Sequence, residues 1–282
     1  MSFASESLKR LVSANVIIPA DMRLGPQPKM DKPFKTLYLL HGYSGDWTDW
    51  VTSTRIEEIA MMNNIAVVIP SGENSFYVDI EHSGRLYSKY IAHDLVNFTR
   101  KIFPLSQERE DTIIAGLSMG GYGALYNGLK HNEIFGHVIA LSSALVVENA
   151  IESTDEPNMM GTNRGYFQDV FGDLDKVMET DKNLELLAKQ VLDKGGSLPD
   201  LYIACGYNDM LVYGNRNLSN HLNEIGYNHV YEEGAGTHDF VFWDAFLKRG
   251  LARLELAPKA EAMVPPFWVD ASKDSPNPIT IT

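Results

Sequence analysis

Short apolar runs alternate with segments whose apolar residues recur at helical spacing. The runs predict strands at Val12–Ile18, Thr36–Leu40, Ile65–Ile69, Thr112–Ala115, His137–Leu141, Leu201–Ala204 and His229–Tyr231. The helical spacing predicts helices at Arg55–Asn63, Leu86–Phe103, Tyr122–Lys130, Tyr213–Ile225 and Phe240–Leu256. Apolar strands that alternate with helices are typical of a parallel sheet covered on both faces. The pattern therefore predicts an α/β protein with a mostly parallel sheet of roughly eight strands.

Two regions interrupt this alternation. Residues 146–183 are acidic and irregular, and a connection of that length is typical of a functional lid. Residues 259–282 form a proline-rich tail that contains the aromatic pair Phe267-Trp268. We therefore expect one α/β domain over residues 1–258, with a lid-like insertion at 146–183, followed by the tail.

Charge and cysteine content narrow the range of partners and compartments. The 282 residues carry a formal net charge of −13, which disfavours nucleic acid and anionic membrane surfaces as partners. The single cysteine, Cys205, cannot form an internal disulfide, and this fits a reducing compartment. No stretch approaches the ~18 apolar residues of a membrane span, and the N-terminus lacks the pattern of a signal peptide. These features predict a cytoplasmic protein.

The sequence Gly116-Leu117-Ser118-Met119-Gly120 lies between a predicted strand and a predicted helix. A G-x-S-x-G segment in that context is typical of a nucleophile elbow, a turn so sharp that side chains at the two glycine positions would collide with the backbone. The alternative is a glycine-rich turn that starts an ordinary helix. No Gly-Lys-Ser/Thr sequence follows, which excludes a phosphate-binding P-loop. Ser118 is therefore the candidate nucleophile.

A nucleophilic serine needs a histidine base and an acid that orients the base, in the chain order Ser, Asp, His. His238 fits the base because it lies in a glycine-containing loop between the last predicted strand and the last helix. Asp209 fits the acid because it follows the strand Leu201–Ala204. Asp239 adjoins His238, but its expected role is to cap the helix. Cys205 ends an apolar strand with no elbow around it, which favours a buried structural thiol.

Acyl transfer also needs backbone N–H groups that bind the developing oxyanion. We expect these to be the amide of Met119, which follows the nucleophile, and the amide of Tyr43 in the loop after Thr36–Leu40. Trp47, Phe76 and Tyr77 follow strand ends and are candidates for lining the substrate pocket. Core packing is the alternative for these aromatic residues.

Together these residues resemble the esterase D family of α/β-hydrolases. The resemblance rests on His41-Gly42-Tyr43, on Gly-Leu-Ser-Met-Gly-Gly-Tyr-Gly-Ala from Gly116, and on Asp209 and His238. It spans roughly residues 12–256 and is strongest to the bacterial tributyrin esterase branch. The resemblance implies an α/β-hydrolase fold and a serine carboxylesterase that acts on short-chain acyl esters without metal or cofactor. Many members form homo-oligomers, so a homo-oligomer is one possible state.

The family also contains S-formylglutathione hydrolases and feruloyl or acetyl esterases that act on plant carbohydrates. The chain departs from the family pattern at Val146–Asn183 and beyond Lys259, and such insertions shape the acyl pocket. The sequence therefore predicts a small-molecule ester as substrate but leaves its identity open. A hydrolase-like protein that binds ligands without catalysis is the alternative of another class.

Overall fold

The computed structural model describes residues 1–20 and 32–254. The tail at 259–282 and the last two residues of the helix predicted to reach Leu256 lie outside the described residues. So do residues 21–31.

An eight-stranded sheet forms the centre of the molecule, with the order β1-β2-β4-β3-β7-β8-β9-β10. A two-stranded hairpin, β5-β6, lies outside this sheet. The strands are β1 (Ser2–Ser5), β2 (Arg10–Ile17), β3 (Lys35–Leu40), β4 (Ile65–Pro70), β5 (Asp79–Ile80), β6 (Arg85–Leu86), β7 (Thr112–Leu117), β8 (His137–Leu141), β9 (Asp200–Gly206) and β10 (His229–Gly234).

Six strands of the sheet run parallel, because β4, β3, β7, β8, β9 and β10 pair in that order with parallel registers. The two strands β1 and β2 are antiparallel to their neighbours. The predicted mostly parallel α/β sheet is therefore confirmed, and its strand order is that of an α/β-hydrolase. Because the six strands are parallel, the loops at their carboxyl ends all meet at one edge of the sheet.

Helices cover both faces of the sheet, and each face has its own apolar core. They are α1 (Asp49–Ser53), α2 (Ile56–Asn63), α3 (Tyr87–Lys89), α4 (Val96–Ile102), α5 (Met119–Lys130), α6 (Val147–Ile151), α7 (Arg164–Phe171), α8 (Leu184–Lys194), α9 (Val212–Glu224) and α10 (Phe240–Arg253). A π-helical segment, Tyr90–Leu95, joins α3 and α4 into one continuous helix. Helices α2 and α10 pack on one face, whereas α5, α8 and α9 pack on the other.

The region predicted as an irregular insertion, residues 146–183, contains the two helices α6 and α7. Helix α7 begins after Asn163, whose side chain accepts a hydrogen bond from the backbone N–H of Tyr166, and it ends before Gly172. We call residues 146–183 the cap. The division of the chain into one domain with a lid stays a prediction. No helix within the described residues is long and apolar enough to cross a membrane.

Helix α8 was not among the predicted elements. It begins after the N-cap residue Asn183, ends before Gly195, and buries Leu184, Leu187, Ala188 and Val191 at helical spacing. The sequence therefore contains the apolar spacing and the capping residue of a helix, but they directly follow the acidic insertion and were assigned to it.

His131, just after α5, is a buried histidine that burial keeps neutral. Its Nε2 lies 2.9 Å from Ser88 Oγ, and its ring packs edge-to-face against that of His93. Burial first, and then the charges of His93 and Lys130, lower its pKa from 6.5 to about 4.

We expect His131 to make the fold less stable in acid. Between pH 6.5 and pH 4 this histidine is protonated in the unfolded chain but neutral in the folded protein. The free energy of unfolding therefore falls by up to about 3 kcal/mol as the pH drops through this range. Urea unfolding of the wild type and of His131→Gln, measured at several pH values, tests this, because glutamine does not titrate. Parallel pH dependences of the two proteins would contradict it.

Candidate active site

The nucleophile candidate lies on a strained turn between β7 and α5. Ser118 has φ 54° and ψ −117°, a conformation that residues with a side chain rarely adopt. A Cβ at Gly116 would lie 2.2 Å from the carbonyl oxygen of Gly120, and one at Gly120 would lie 2.6 Å from the carbonyl oxygens of Leu40 and His41. Only glycine fits at these two positions, which is the steric requirement of the predicted elbow.

The three predicted side chains Ser118, His238 and Asp209 form one hydrogen-bonded chain. His238 Nε2 lies 3.0 Å from Ser118 Oγ, and His238 Nδ1 lies 2.9 Å from Asp209 Oδ2. A carboxylate only accepts hydrogen bonds, so Nδ1 carries the proton and Nε2 is left to accept the serine hydroxyl proton. These are the contacts by which a histidine activates a serine.

Asp209 is held as a carboxylate by its hydrogen bonds. Burial alone would raise its pKa, but hydrogen bonds from His238, the backbone N–H of Leu211 and the hydroxyl of Ser142 outweigh burial and keep the pKa below its ordinary value. Leu211 N lies 2.9 Å from Asp209 Oδ1, so the two carboxylate oxygens have different partners. The carboxylate thus stays charged and keeps a fixed orientation towards His238.

Asp239 and Cys205, the other residues considered for the acid and the nucleophile, both lie in the environments expected of structural residues. The Asp239 side chain accepts a hydrogen bond from the backbone N–H of Phe242, so it caps α10 and does not contact His238 as an acid. Cys205 is buried, and burial is the largest cause that raises the pKa of its thiol to about 12. Trp243 packs perpendicular to the His238 ring at 4.9 Å, and its Nε1–H donates to Ser142 Oγ. Sequence reasoning did not single out Trp243, because only the fold brings it back onto the histidine.

The loop that carries Tyr43 passes directly beside Ser118. A Cβ at Gly42 would lie 2.7 Å from Leu117 Cδ1 and 3.6 Å from Ser118 Cβ. The Nε2 of His41 accepts the Gly72 N–H at 2.8 Å, so its Nδ1 is protonated and donates to the Gly42 carbonyl at 2.7 Å. Because a trans peptide directs its C=O and N–H to opposite sides, this bond turns the N–H of Tyr43 away from His41.

This arrangement requires His41 to be neutral, and burial favours the neutral form. Burial lowers the pKa of His41 and is the largest influence on it. Met119, the other predicted oxyanion donor, is the first residue of α5, where backbone N–H groups lack partners within the helix.

The predicted pocket residues lie in different environments. Tyr77 is fully buried, and its hydroxyl donates to the His41 carbonyl at 3.0 Å. Phe76 is buried against Tyr122 and Phe171, whereas Trp47 is half-buried. Phe76 and Tyr77 both have positive φ. Their burial is that of the core-packing alternative, and Tyr77 supports the loop that carries Tyr43 through its hydrogen bond to the His41 carbonyl.

A cleft of about 100 Å³ lies between Tyr122 of α5, the cap, α8 and α9. Its lining includes Tyr122, Leu145 and Met178 but not Ser118, Asp209 or His238. Within residues 1–20 and 32–254, no three His, Cys, Asp or Glu side chains are grouped so that they could hold a metal ion.

Comparison with known proteins gives consistent matches. The family model described as "Putative esterase" matches residues 5–254. An acetyl esterase from Caldicellulosiruptor saccharolyticus is 42% identical over 252 residues, which cover 88% of this chain and 94% of that protein. Two Staphylococcus aureus structures are each 30% identical and cover 90% of this chain and 96% of theirs. They are the substrate-bound fluorophosphonate-binding serine hydrolase F, with a TM-score of 0.79, and the S-formylglutathione hydrolase FrmB, with a TM-score of 0.76.

We expect Gly120→Ala to damage both the fold and the site. Its Cβ would press on the carbonyl oxygens of Leu40 and His41, so the free energy of unfolding should fall by about 2–3 kcal/mol. Displacing the elbow from the Tyr43 loop should lower turnover by about 100-fold or more. Chemical denaturation and steady-state kinetics measure the two effects.

Gly214→Ala is the matched control, because Gly214 also lies in the first turn of a helix, α9. A Cβ there would meet Leu145 at an ordinary 3.7 Å, so alanine should stabilise the helix by about 0.5–1 kcal/mol. Equal effects of the two substitutions would contradict the steric explanation.

Proposed function

Because the chain belongs to the putative esterase family and is a serine hydrolase of carboxylic ester bonds, we propose that Ser118, His238 and Asp209 are its catalytic triad and that short-chain acyl esters are its substrates. The observation that carries the proposal is the unbroken hydrogen-bonded chain from Asp209 through His238 to Ser118.

Each step of ester hydrolysis has a group in the required position. His238 Nε2 takes the hydroxyl proton as Ser118 Oγ attacks the ester carbonyl carbon. The imidazolium then gives that proton to the leaving alcohol, and an acyl-enzyme on Ser118 remains. Water attacks the acyl-enzyme with the same proton transfers in the same order, which releases the acid and restores Ser118. Asp209 stabilises the imidazolium in both halves of the reaction.

The backbone amides of Tyr43 and Met119 are the proposed oxyanion donors. Each tetrahedral intermediate carries a negative oxygen, and preorganised N–H groups stabilise it more than they stabilise the planar substrate. The His41 hydrogen bond that turns the Gly42–Tyr43 peptide supports this role for Tyr43. The first position of α5 supports it for Met119, because a helix N-terminus favours negative charge.

The acyl-chain preference is proposed from the relatives. The 42% identical protein is named as an acetyl esterase, which supports acetyl and other short acyl groups, and tributyrin as a test substrate. A thioester of the S-formylglutathione type is the second candidate, because a 30% identical structure with a TM-score of 0.76 is named for that activity. Both reactions need the same triad and differ in the leaving group. A homo-oligomeric state and a cytoplasmic location stay predictions.

A series of p-nitrophenyl esters from acetate to octanoate, with tributyrin and S-formylglutathione beside it, tests the substrate proposal. We expect the highest kcat/KM for acyl chains of two to four carbons, because a small pocket rejects each additional methylene by steric overlap. A preference for octanoate would contradict a short-chain site. A preference for the thioester would keep the triad and favour the second candidate. No turnover of any substrate would favour a binding protein.

Substitutions at the triad test the mechanism. Ser118→Ala should lower turnover by about 10⁴-fold or more with little change in thermal stability. Asp209→Asn should lower it by about 10³–10⁴-fold, because the amide no longer favours the productive histidine tautomer. Asp239→Asn is the matched control, since asparagine caps a helix as well as aspartate does and should leave turnover near the wild-type value. Full activity of Ser118→Ala would overturn the mechanism.

A further inference from the structure

The cap contacts residues 41–44 through an aromatic pair, and we call these residues the oxyanion loop because Tyr43 is the proposed oxyanion donor. The ring of Tyr166 in α7 meets the ring of Tyr43 edge-to-face, with centroids 5.9 Å apart and planes at 89°. Such a pair favours one relative orientation of its two rings. The conformation of Tyr43 is therefore coupled to the position of a helix that begins more than 120 residues later in the chain.

Hydrogen bonds make a second connection between the same helix and the same loop. The Tyr166 hydroxyl donates to the carbonyl oxygen of Asn74 at 2.8 Å. The side-chain oxygen of Asn74 accepts the backbone N–H of Ser44 at 2.8 Å. Tyr166 therefore supports both residues that follow Gly42. It packs on the ring of Tyr43 directly, and it reaches Ser44 through Asn74.

The loop needs such support because of its backbone. Ser44 has φ +65°, a conformation that costs about 1 kcal/mol or more for a residue with a side chain. The residue directly before it, Tyr43, carries the proposed oxyanion donor. If Ser44 relaxed to a negative φ, the Tyr43–Ser44 peptide would rotate and the amide of Tyr43 would move with it.

Helix α7 also contacts the rest of the fold away from Tyr43, so it can act as a support. The carboxylate of Asp169, one turn after Tyr166 and on the same side of the helix, accepts hydrogen bonds from Arg85 Nη2 with both oxygens, at 2.6 and 2.8 Å. His82 also contacts Asp169. The amide of Tyr166 is fixed by the capping side chain of Asn163. Phe171, at the end of α7, packs against Phe76 and Tyr122, so α7 is attached to the rest of the protein at Asp169 and at Phe171.

We propose that Tyr166 is a positioning residue for the oxyanion hole and that the cap therefore takes part in transition-state stabilisation. This rests on the proposed function, because it takes Tyr43 as an oxyanion donor. Tyr166 acts through the Tyr43 ring and through Asn74, and it performs no chemistry itself. Its removal weakens binding of the negative oxygen more than binding of the planar ester.

Tyr166→Phe and Tyr166→Leu test the proposal in the full-length protein. Removing one oxyanion donor outright costs about 10²–10³-fold in turnover, so a displaced donor should cost less. We expect Tyr166→Phe to lower kcat by about 5- to 30-fold with KM within about twofold, and Tyr166→Leu to lower kcat further. The inhibition constant of a trifluoromethyl ketone, which forms a tetrahedral adduct on the serine, should rise by the same factor as kcat falls.

Tyr126→Phe is the matched control. It also removes one tyrosine hydroxyl, but that hydroxyl contacts Asp181 and Lys130 and not the oxyanion loop. It should leave kcat, KM and ketone affinity near the wild-type values. A loss of kcat in Tyr126→Phe as large as in Tyr166→Phe would indicate a general structural effect and overturn the proposal.

Asn74 gives an independent test should the Tyr166 variants fold poorly. Asn74→Ala removes the acceptor for the Ser44 N–H and should reproduce the loss of kcat and of ketone affinity. Asn74→Asp keeps an oxygen acceptor at that position and should retain most of both. Unchanged kcat in Tyr166→Leu and Asn74→Ala, or a change in KM alone, would overturn the proposal.

Wild type and Ser118→Ala, assayed beside these variants, separate this inference from the proposed function. An inactive wild type or an active Ser118→Ala would overturn the proposed function. An active wild type, an inactive Ser118→Ala and unaffected Tyr166 variants would overturn only the role of Tyr166.

Discussion

The packing of the first turn of α5 onto the carboxyl end of β3 is the constraint on which the site depends. Gly120 approaches the carbonyl oxygens of Leu40 and His41 so closely that a single methyl group would not fit. This contact sets Ser118 beside the loop that starts at His41, and it does so through backbone atoms alone. Because backbone positions vary less than side-chain rotamers, the geometry between Ser118 and the Tyr43 loop is fixed by the fold.

Strained backbone is concentrated at the same edge of the sheet. Among the described residues, eight non-glycine residues have positive φ, and six of them lie in loops at the carboxyl ends of the parallel strands: Ser44, Glu73, Phe76, Tyr77, Ser118 and Ser142. Such conformations persist only where surrounding contacts enforce them. Three hydrogen bonds act at these loops: Asn74 accepts the Ser44 N–H, the Tyr77 hydroxyl donates to the His41 carbonyl, and Trp243 donates to Ser142. Together they stabilise a geometry that the isolated loops would not adopt.

Most of the fold was predictable from local patterns, and the parts that were not have identifiable causes. The apolar runs of β3, β4, β7, β8 and β9 are continuous because both faces are buried, so their positions were predicted within two residues at each end. The short strand β1 has few apolar residues, since it pairs only with β2 at the edge of the sheet. Helix α8 has a clear apolar face and an Asn183 cap, but its start adjoins the acidic cap sequence. Phe76 and Tyr77 were expected as pocket candidates by their position after a strand, and only the structure shows that both are buried.

The sequence by itself was enough to predict the residues of the proposed site: the glycines around Ser118, the histidine in a loop after the last strand, and the aspartate after β9. Each is recognisable because its requirement is local, either a backbone without a Cβ or a side chain at a strand end. Only the tertiary structure decided which distant groups support them. The contacts of Tyr166 with Tyr43 and Asn74, and of Trp243 with His238 and Ser142, join segments far apart in the chain. No local pattern encodes such pairs, because they arise from the packing of whole helices against the carboxyl edge of the sheet.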